Sequence, residues 1–140
     1  MSRNSYTKTL ILILIITSCC KPRGDIVEGD VVERKPSPDS TVVALITRAN
    51  YGATVPYVYR VYLQPSDPSA AAKQLLQADK MEDMHVDWEQ NGTLLIRMPC
   101  GRIFAFTNFF YVLGKDGKLV TRIPVKLDTG GLCDPMNPMA

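Results

Sequence analysis

The sequence has little of several residue types on which common activities depend. It contains one histidine and four cysteines, and no two of the cysteines form a Cys-x-x-C pair. It also has no Gly-x-Ser-x-Gly elbow and no glycine-rich turn that opens a helix. Zinc ribbons, thioredoxin-like redox sites, serine hydrolases and phosphate-binding loops therefore find no support, and we expect neither a cofactor nor an enzymatic activity.

An excess of charge is missing as well. The chain carries 16 basic and 14 acidic residues, which gives a formal net charge of +2. Arg3 and Lys8 lie in a segment that we expect to be removed, and removing them leaves 14 basic residues against the 14 acidic ones. No basic stretch is denser than Glu33-Arg34-Lys35, so binding to nucleic acid or to anionic lipid is not expected.

The longest apolar run is short and lies near the N-terminus. Leu10 to Ile16 is entirely aliphatic, follows the positive charges of Arg3 and Lys8, and stops at polar Thr17. A helix that spans a bilayer needs roughly 20 apolar residues. The pattern therefore predicts a signal peptide over residues 1–18 and not a transmembrane anchor.

The residues that follow the run define the type of signal. Ile16-Thr17-Ser18-Cys19 resembles the lipobox of bacterial lipoproteins, and all four positions match its pattern. The resemblance implies cleavage before Cys19 and attachment of acyl chains, such as palmitate, that hold the protein on a membrane. If the host has two membranes, Cys20 in place of aspartate favours the outer one. The alternative is an ordinary secretory signal with incidental cysteines.

The remaining chain divides into three predicted parts. Residues 19–36 mix glycine, proline and charges without a hydrophobic period, which is typical of a tether. A β domain is expected over residues 37–128, and residues 129–140 form a C-terminal tail. The domain shows neither an internal repeat nor a low-complexity run.

Hydrophobic patterning predicts a mainly β domain. Thr41 to Ala49 is rich in β-branched residues, and Tyr57 to Leu63 alternates between two faces. Asn91-Gly92 and Asp116-Gly117 are hairpin signals between further short strands. We therefore expect an antiparallel meander, arranged as a single sheet or a small sandwich.

One short α-helix is expected within this domain, over Pro68 to Ala78. Asp67 is typical of an N-cap residue, Pro68 suits the first helical position, and the alanine-rich segment that follows favours a helix.

Four short motifs resemble segments of small exported domains of bacterial lipoproteins whose function is unassigned. The resemblance implies no activity. The motifs are Ser37-Pro38-Asp39, Gly52-Ala53-Thr54, Val86-Asp87-Trp88 and Asn91-Gly92-Thr93-Leu94.

Two cysteines outside the lipobox are candidates for a disulfide bond. Exported compartments are oxidising, so Cys100 and Cys133 can pair and join the tail to the turn after Met98. Cys20 competes for the same partners, and a buried free thiol at Cys100 is the remaining alternative.

His85, Asp87 and Glu89 form the main candidate metal site. They occupy alternate positions of one predicted strand, so their side chains project to the same face. Met81, Met84 and Met98 extend the alternative to a soft metal such as Cu(I). The competing interpretation is structural: a half-buried strand needs a polar face, and methionines fill cores.

Aromatic residues give the lead that favours binding. Tyr51, Arg60 and Tyr62 are expected to form a partner surface, because tyrosine and arginine are enriched at binding hot spots. Packing across strands in the core is the alternative. A second aromatic group comprises Phe104, Phe106, Phe109, Phe110 and Tyr111.

These observations favour a membrane-anchored envelope lipoprotein that acts as a non-catalytic binding module, as an inhibitor or immunity-type protein does. The alternative is a metal-binding or metal-delivering lipoprotein that uses His85 with Asp87, Glu89 or nearby methionines. The membrane, through the N-terminal lipid, and an envelope protein are the expected partners.

Overall fold

The computed structural model describes residues 25–67, 70–81, 83–114 and 116–130. The signal peptide, the lipobox, Cys133 and nearly all of the predicted tail lie outside the described residues. Within them the chain is mainly β, with two sheets and no helix. The strands are β1 (Asp30–Pro36), β2 (Val42–Ala49), β3 (Val58–Pro65), β4 (Lys73–Asp79), β5 (His85–Trp88), β6 (Leu94–Arg97), β7 (Arg102–Phe106), β8 (Phe109–Leu113) and β9 (Leu119–Asp128).

The first sheet has five strands in the order β1-β2-β3-β4-β7, and all neighbours are antiparallel. Its first four strands form a meander. β2 and β3 have neighbours on both edges, and most of their residues are buried.

The second sheet has four strands in the order β5-β6-β9-β8. The β5–β6 hairpin turns at Asn91-Gly92, where Gly92 has φ +78°, and Asp116-Gly117 forms the turn between β8 and β9. β6 and β9 are parallel. The expected meander does not continue through this sheet, because β7 lies in the first sheet and β9 pairs with β6 in parallel.

The predicted helix over Pro68 to Ala78 is not present in the described residues. Lys73–Asp79 is instead strand β4, which pairs with β3 on one edge and with β7 on the other. Leu75 and Leu76 are adjacent in the chain, and both are fully buried in the same hydrophobic core, because the register with β3 shifts at this point. Burial between two neighbouring strands outweighs the helix propensity of this segment.

The predicted tether is partly structured. Residues 30–36 form β1, which pairs antiparallel with β2, and Asp25 already contacts the domain through its N–H, which donates to the Ala72 carbonyl at 3.0 Å. Gly29 connects this contact to β1 with φ +89°, and a Cβ there would lie 2.8 Å from the Arg48 carbonyl oxygen. Only glycine fits such a turn.

The two sheets share one hydrophobic core. It is built from the inward residues of strands in both sheets, and Trp88, Val112 and Leu127 pack against it from the periphery. The fully buried large side chains include Ile46, Val61, Leu63, Leu76, Val86, Leu94, Ile96 and Met98.

Candidate functional site

Each of the three residues of the candidate metal site is paired with a side chain outside the set. His85 Nδ1 lies 3.3 Å from Glu33 Oε2, and its Nε2 lies 3.0 Å from Asp83 Oδ2. Asp87 instead pairs with Lys35 and Arg97. Within the described residues no group of three or more histidine, cysteine, aspartate or glutamate side chains is arranged to hold a metal ion.

The remaining members of the metal hypothesis are also engaged elsewhere. Glu89 Oε2 accepts a bond from Lys126 Nζ at 2.9 Å. Met84 and Met98 are buried in the core, and Met81 packs against it. The methionines therefore fill space between the sheets, and the acidic side chains neutralise neighbouring cations.

Ionic contacts join the edges of the two sheets along one side of the molecule. β1 and β5 are edge strands of different sheets, and the Lys35–Asp87 ion pair links them. Trp88 Nε1–H donates to the Lys35 carbonyl at 3.1 Å, and His85 contacts Glu33. We call this edge, formed by β1 and β5, the closed side.

These contacts shift the pKa values of two side chains. The hydrogen bond from Lys35 lowers the pKa of Asp87 below its ordinary value. Hydrogen bonds with Glu33 and then Asp83 raise the pKa of His85 above its ordinary value of 6.5. Both directions favour the charged forms, so these residues act as ion-pair partners of the closed side.

Cys100 takes part in a disulfide bond. It lies in the connection between β6 and β7, where Cys100 (φ +35°) and Gly101 (φ +153°) carry the chain from one sheet to the other. No second cysteine lies within the described residues, and the pairing with Cys133 stays a prediction.

The expected exposure of Arg60 and Tyr62 is not what the structure shows. Arg60 is 7% exposed and Tyr62 1%, whereas Tyr51 is 55% exposed. Residues 25–28, which we call the crossing segment, cover this part of β3. Glu28 Oε2 lies 3.0 Å from Arg60 Nη2, and its backbone N–H donates to the Tyr62 hydroxyl at 3.2 Å.

An open cleft of about 770 Å³ runs beside the crossing segment. Its charged lining residues are Asp25, Glu28, Arg60 and Lys73, so carboxylates and cations are balanced. The cleft therefore has no net charge that would select an ion.

An exposed aromatic surface remains at the loop between β2 and β3. Tyr51, Val55 and Tyr57 are about half exposed, and the Arg48 guanidinium carbon lies 4.7 Å from the centre of the Tyr57 ring. We call these four residues the tyrosine loop surface. Of these four residues, the sequence analysis predicted only Tyr51 as a partner residue. The position of Arg48 just before the turn at Asn50 could have indicated that it lies close to the tyrosines of the loop.

A second apolar surface lies opposite the closed side. β7 and β8 are the other edge strands of the two sheets, and they follow each other in the chain. Their exposed large side chains include Ile103, Phe104, Phe106, Tyr111 and Leu113. We call this edge, formed by β7 and β8, the open side.

Comparison of the chain with models of protein families, with curated proteins and with solved structures finds no match. Among the described residues no helix is long and apolar enough to cross a bilayer.

Proposed function

We propose that this chain is a lipid-anchored envelope protein that acts as a non-catalytic binding module through its tyrosine loop surface. The lipobox Ile16-Thr17-Ser18-Cys19 supports the anchor, and Cys20 after it favours the outer membrane in a host that has two. The partner is another envelope protein, because the anchor confines the domain to that compartment.

The tyrosine loop surface is the observation that carries the proposal. Tyr51 and Tyr57 are 55% and 46% exposed, so both rings reach solvent at the same loop. Tyrosine offers a large rigid contact area with a polar hydroxyl, and arginine stacked on it adds a cation. These residue types dominate binding hot spots.

The contacts that hold the Tyr51 hydroxyl also favour binding. The Tyr51 hydroxyl accepts a hydrogen bond from Arg60 Nη2 at 2.9 Å, and Arg60 is itself held by Glu28. The hydroxyl of Tyr51 is therefore held in place while the side chain remains about half exposed. A surface that is ordered before binding loses less side-chain entropy when a partner docks.

The test is capture of the partner by the full-length protein in its host envelope after chemical cross-linking. We expect Arg48→Ala combined with Tyr57→Ala to reduce recovery of the partner at least tenfold. Val32→Ala, which removes an exposed apolar side chain from the closed side, is the matched control and should leave recovery unchanged.

Two outcomes would contradict the proposal. One is that no protein co-purifies specifically with the wild type, as judged against the same purification from a strain that lacks this chain. The other is an equal loss in the Val32→Ala control, which would show that the surface is not specific.

A further inference from the structure

The edges of the two sheets are protected unequally. β1 carries Glu33, Arg34, Lys35 and Pro36, residue types that discourage pairing with another strand, and contacts with β5 join the closed side. β8 has the sequence Phe-Phe-Tyr-Val-Leu, with no charge and no proline. A free edge of this composition is a template for another strand.

The backbone of β8 is oriented for such pairing. Val125 N–H donates to the Asn108 carbonyl at 2.8 Å, and the register continues through Phe109↔Pro124 and Tyr111↔Arg122. Hydrogen-bonded pairs alternate in an antiparallel ladder, so the N–H and C=O groups of Phe109 and Tyr111 point away from β9. No strand of the described residues pairs with β8 on that edge.

We propose that two copies of this chain pair through β8, antiparallel, with Tyr111 on the two-fold axis. Phe109 of one copy then lies opposite Leu113 of the other. The outward backbone groups are symmetric about Tyr111, so the same edge serves both partners, as a closed two-fold interface requires. The two four-stranded sheets become one continuous eight-stranded sheet.

Side chains on both faces of β8 suit the paired state. Phe110 and Val112 face the core and extend it toward the second copy, while Tyr111, 47% exposed, and Leu113 lie on the other face. Phe104 and Phe106 of β7, the preceding strand in the chain, are also exposed. A fully buried aromatic side chain removes about 150–250 Å² from water, and one that is half exposed can bury only about half of this on pairing. The open side thus offers at most several hundred Å² per copy, which is the size of a weak and reversible interface.

Electrostatics permits the pairing. Arg122 lies opposite Tyr111 on β9, with its guanidinium carbon 4.9 Å from the centre of the Phe109 ring. Two paired β8 strands would separate the Arg122 residues of the two copies by three strand spacings, roughly 14 Å. This exceeds the Debye length of about 8 Å at physiological ionic strength, so their repulsion is screened.

A disulfide cross-link tests the axis directly. Facing residues of a hydrogen-bonded pair have Cα atoms about 5.5 Å apart, which suits a disulfide bond. In the full-length protein under mild oxidation, we expect Tyr111→Cys to run mostly as a covalent dimer on a non-reducing gel. The wild type and Val32→Cys, whose new cysteine lies on the closed side, should run as monomers on the same gel because no disulfide joins the two copies.

Sedimentation of the full-length protein in detergent gives a second measurement. Tyr111→Lys brings two like charges together on the axis and should weaken self-association at least tenfold, whereas Tyr111→Phe should preserve it. Sedimentation of Tyr111→Lys like the wild type would overturn the pairing. So would Tyr111→Cys cross-linking no better than Val32→Cys, or forming a ladder of higher oligomers.

This inference is independent of the proposed function, because the two use different surfaces. Tyr111→Lys leaves the tyrosine loop surface intact and should not change capture of the envelope partner. Arg48→Ala with Tyr57→Ala should not change self-association.

Discussion

The indole nitrogen of Trp88 donates a hydrogen bond to the backbone carbonyl of Lys35 at 3.1 Å, and so ties the edge of one sheet to the edge of the other. The Lys35 side chain meanwhile pairs with Asp87, one residue before Trp88. β1 and β5, which are edge strands of different sheets, are thus joined at Lys35 by one contact to its backbone and one to its side chain.

The Trp88–Lys35 hydrogen bond predicts a measurable loss of stability. Trp88→Phe keeps an aromatic ring at the margin of the core but removes the N–H donor, which should cost about 1 kcal/mol in the free energy of unfolding, together with a contribution from lost packing. Urea denaturation followed by circular dichroism measures it. Tyr57→Phe, which removes an exposed hydroxyl, should change stability by less than about 0.5 kcal/mol. Equal effects of the two variants would contradict this role.

His85 predicts a pH-dependent contribution to stability. Because Glu33 and Asp83 raise its pKa in the folded protein, the contribution is fully present below the ordinary value of 6.5 and is lost as the pH rises through the folded value. The lowered pKa of Asp87 matters only at much lower pH, where its contribution is lost as that carboxylate becomes protonated.

The measurement for His85 is a comparison of melting temperatures between the wild type and His85→Gln. The wild type should be the more stable at about pH 5, and the difference should shrink as the pH rises through the raised pKa of His85. His85 is exposed, so we expect a shift of no more than a few degrees. A difference that grows with pH would contradict the assignment.

Glu28 predicts a larger effect, because its partner is buried. Glu28→Gln removes the carboxylate beside Arg60, whose side chain is 8% exposed, and should cost about 1–2 kcal/mol in the free energy of unfolding. Glu89→Gln is the matched control, since Glu89 pairs with an exposed Lys126 and should contribute less than about 0.5 kcal/mol. Faster proteolysis within the crossing segment is a second readout. If both variants unfold alike, the crossing segment does not depend on Arg60.

Cys19 predicts the behaviour of the protein in a detergent extraction. The mature wild type should partition into the detergent phase, because acyl chains contribute about 0.8 kcal/mol for each buried CH₂ group. Cys19→Ala should appear in the aqueous phase or remain as an uncleaved precursor. A mature wild type found in the aqueous phase would contradict lipidation.

Local patterns in the sequence predicted much of the strand content. Thr41 to Ala49 and Tyr57 to Leu63 correspond to β2 and β3 within two residues at each end. Asn91-Gly92 and Asp116-Gly117 turn the chain where expected, because glycine reaches positive φ at little cost. These features depend on neighbouring residues alone.

The errors concern long-range contacts. The segment Lys73–Asp79 has the composition of a helix, and only its position between β3 and β7 makes it a strand. Arg60 and Tyr62 have the alternation of an exposed face, but Glu28, more than thirty residues earlier in the chain, covers them. No pattern within a short window reports such a contact.

The parallel pairing of β6 with β9 has the same origin. It follows from the passage of the chain into the other sheet at Cys100 and Gly101. The local pattern of β9 does not indicate which strand it pairs with. The exposed edge of β8 was visible in the sequence only as an aromatic cluster, because the strand order decides which strands are edges.

The contact of Asp25 with Ala72 limits how far the domain can stand from a membrane. With Cys19 lipidated as we propose, six residue steps separate the lipid from Asp25 and span at most roughly 20 Å. A tether that ran to Ser37 would reach roughly 60 Å. On the proposed lipidation, the domain would be held close to the bilayer and would meet partners whose exposed parts also lie close to the lipid headgroups.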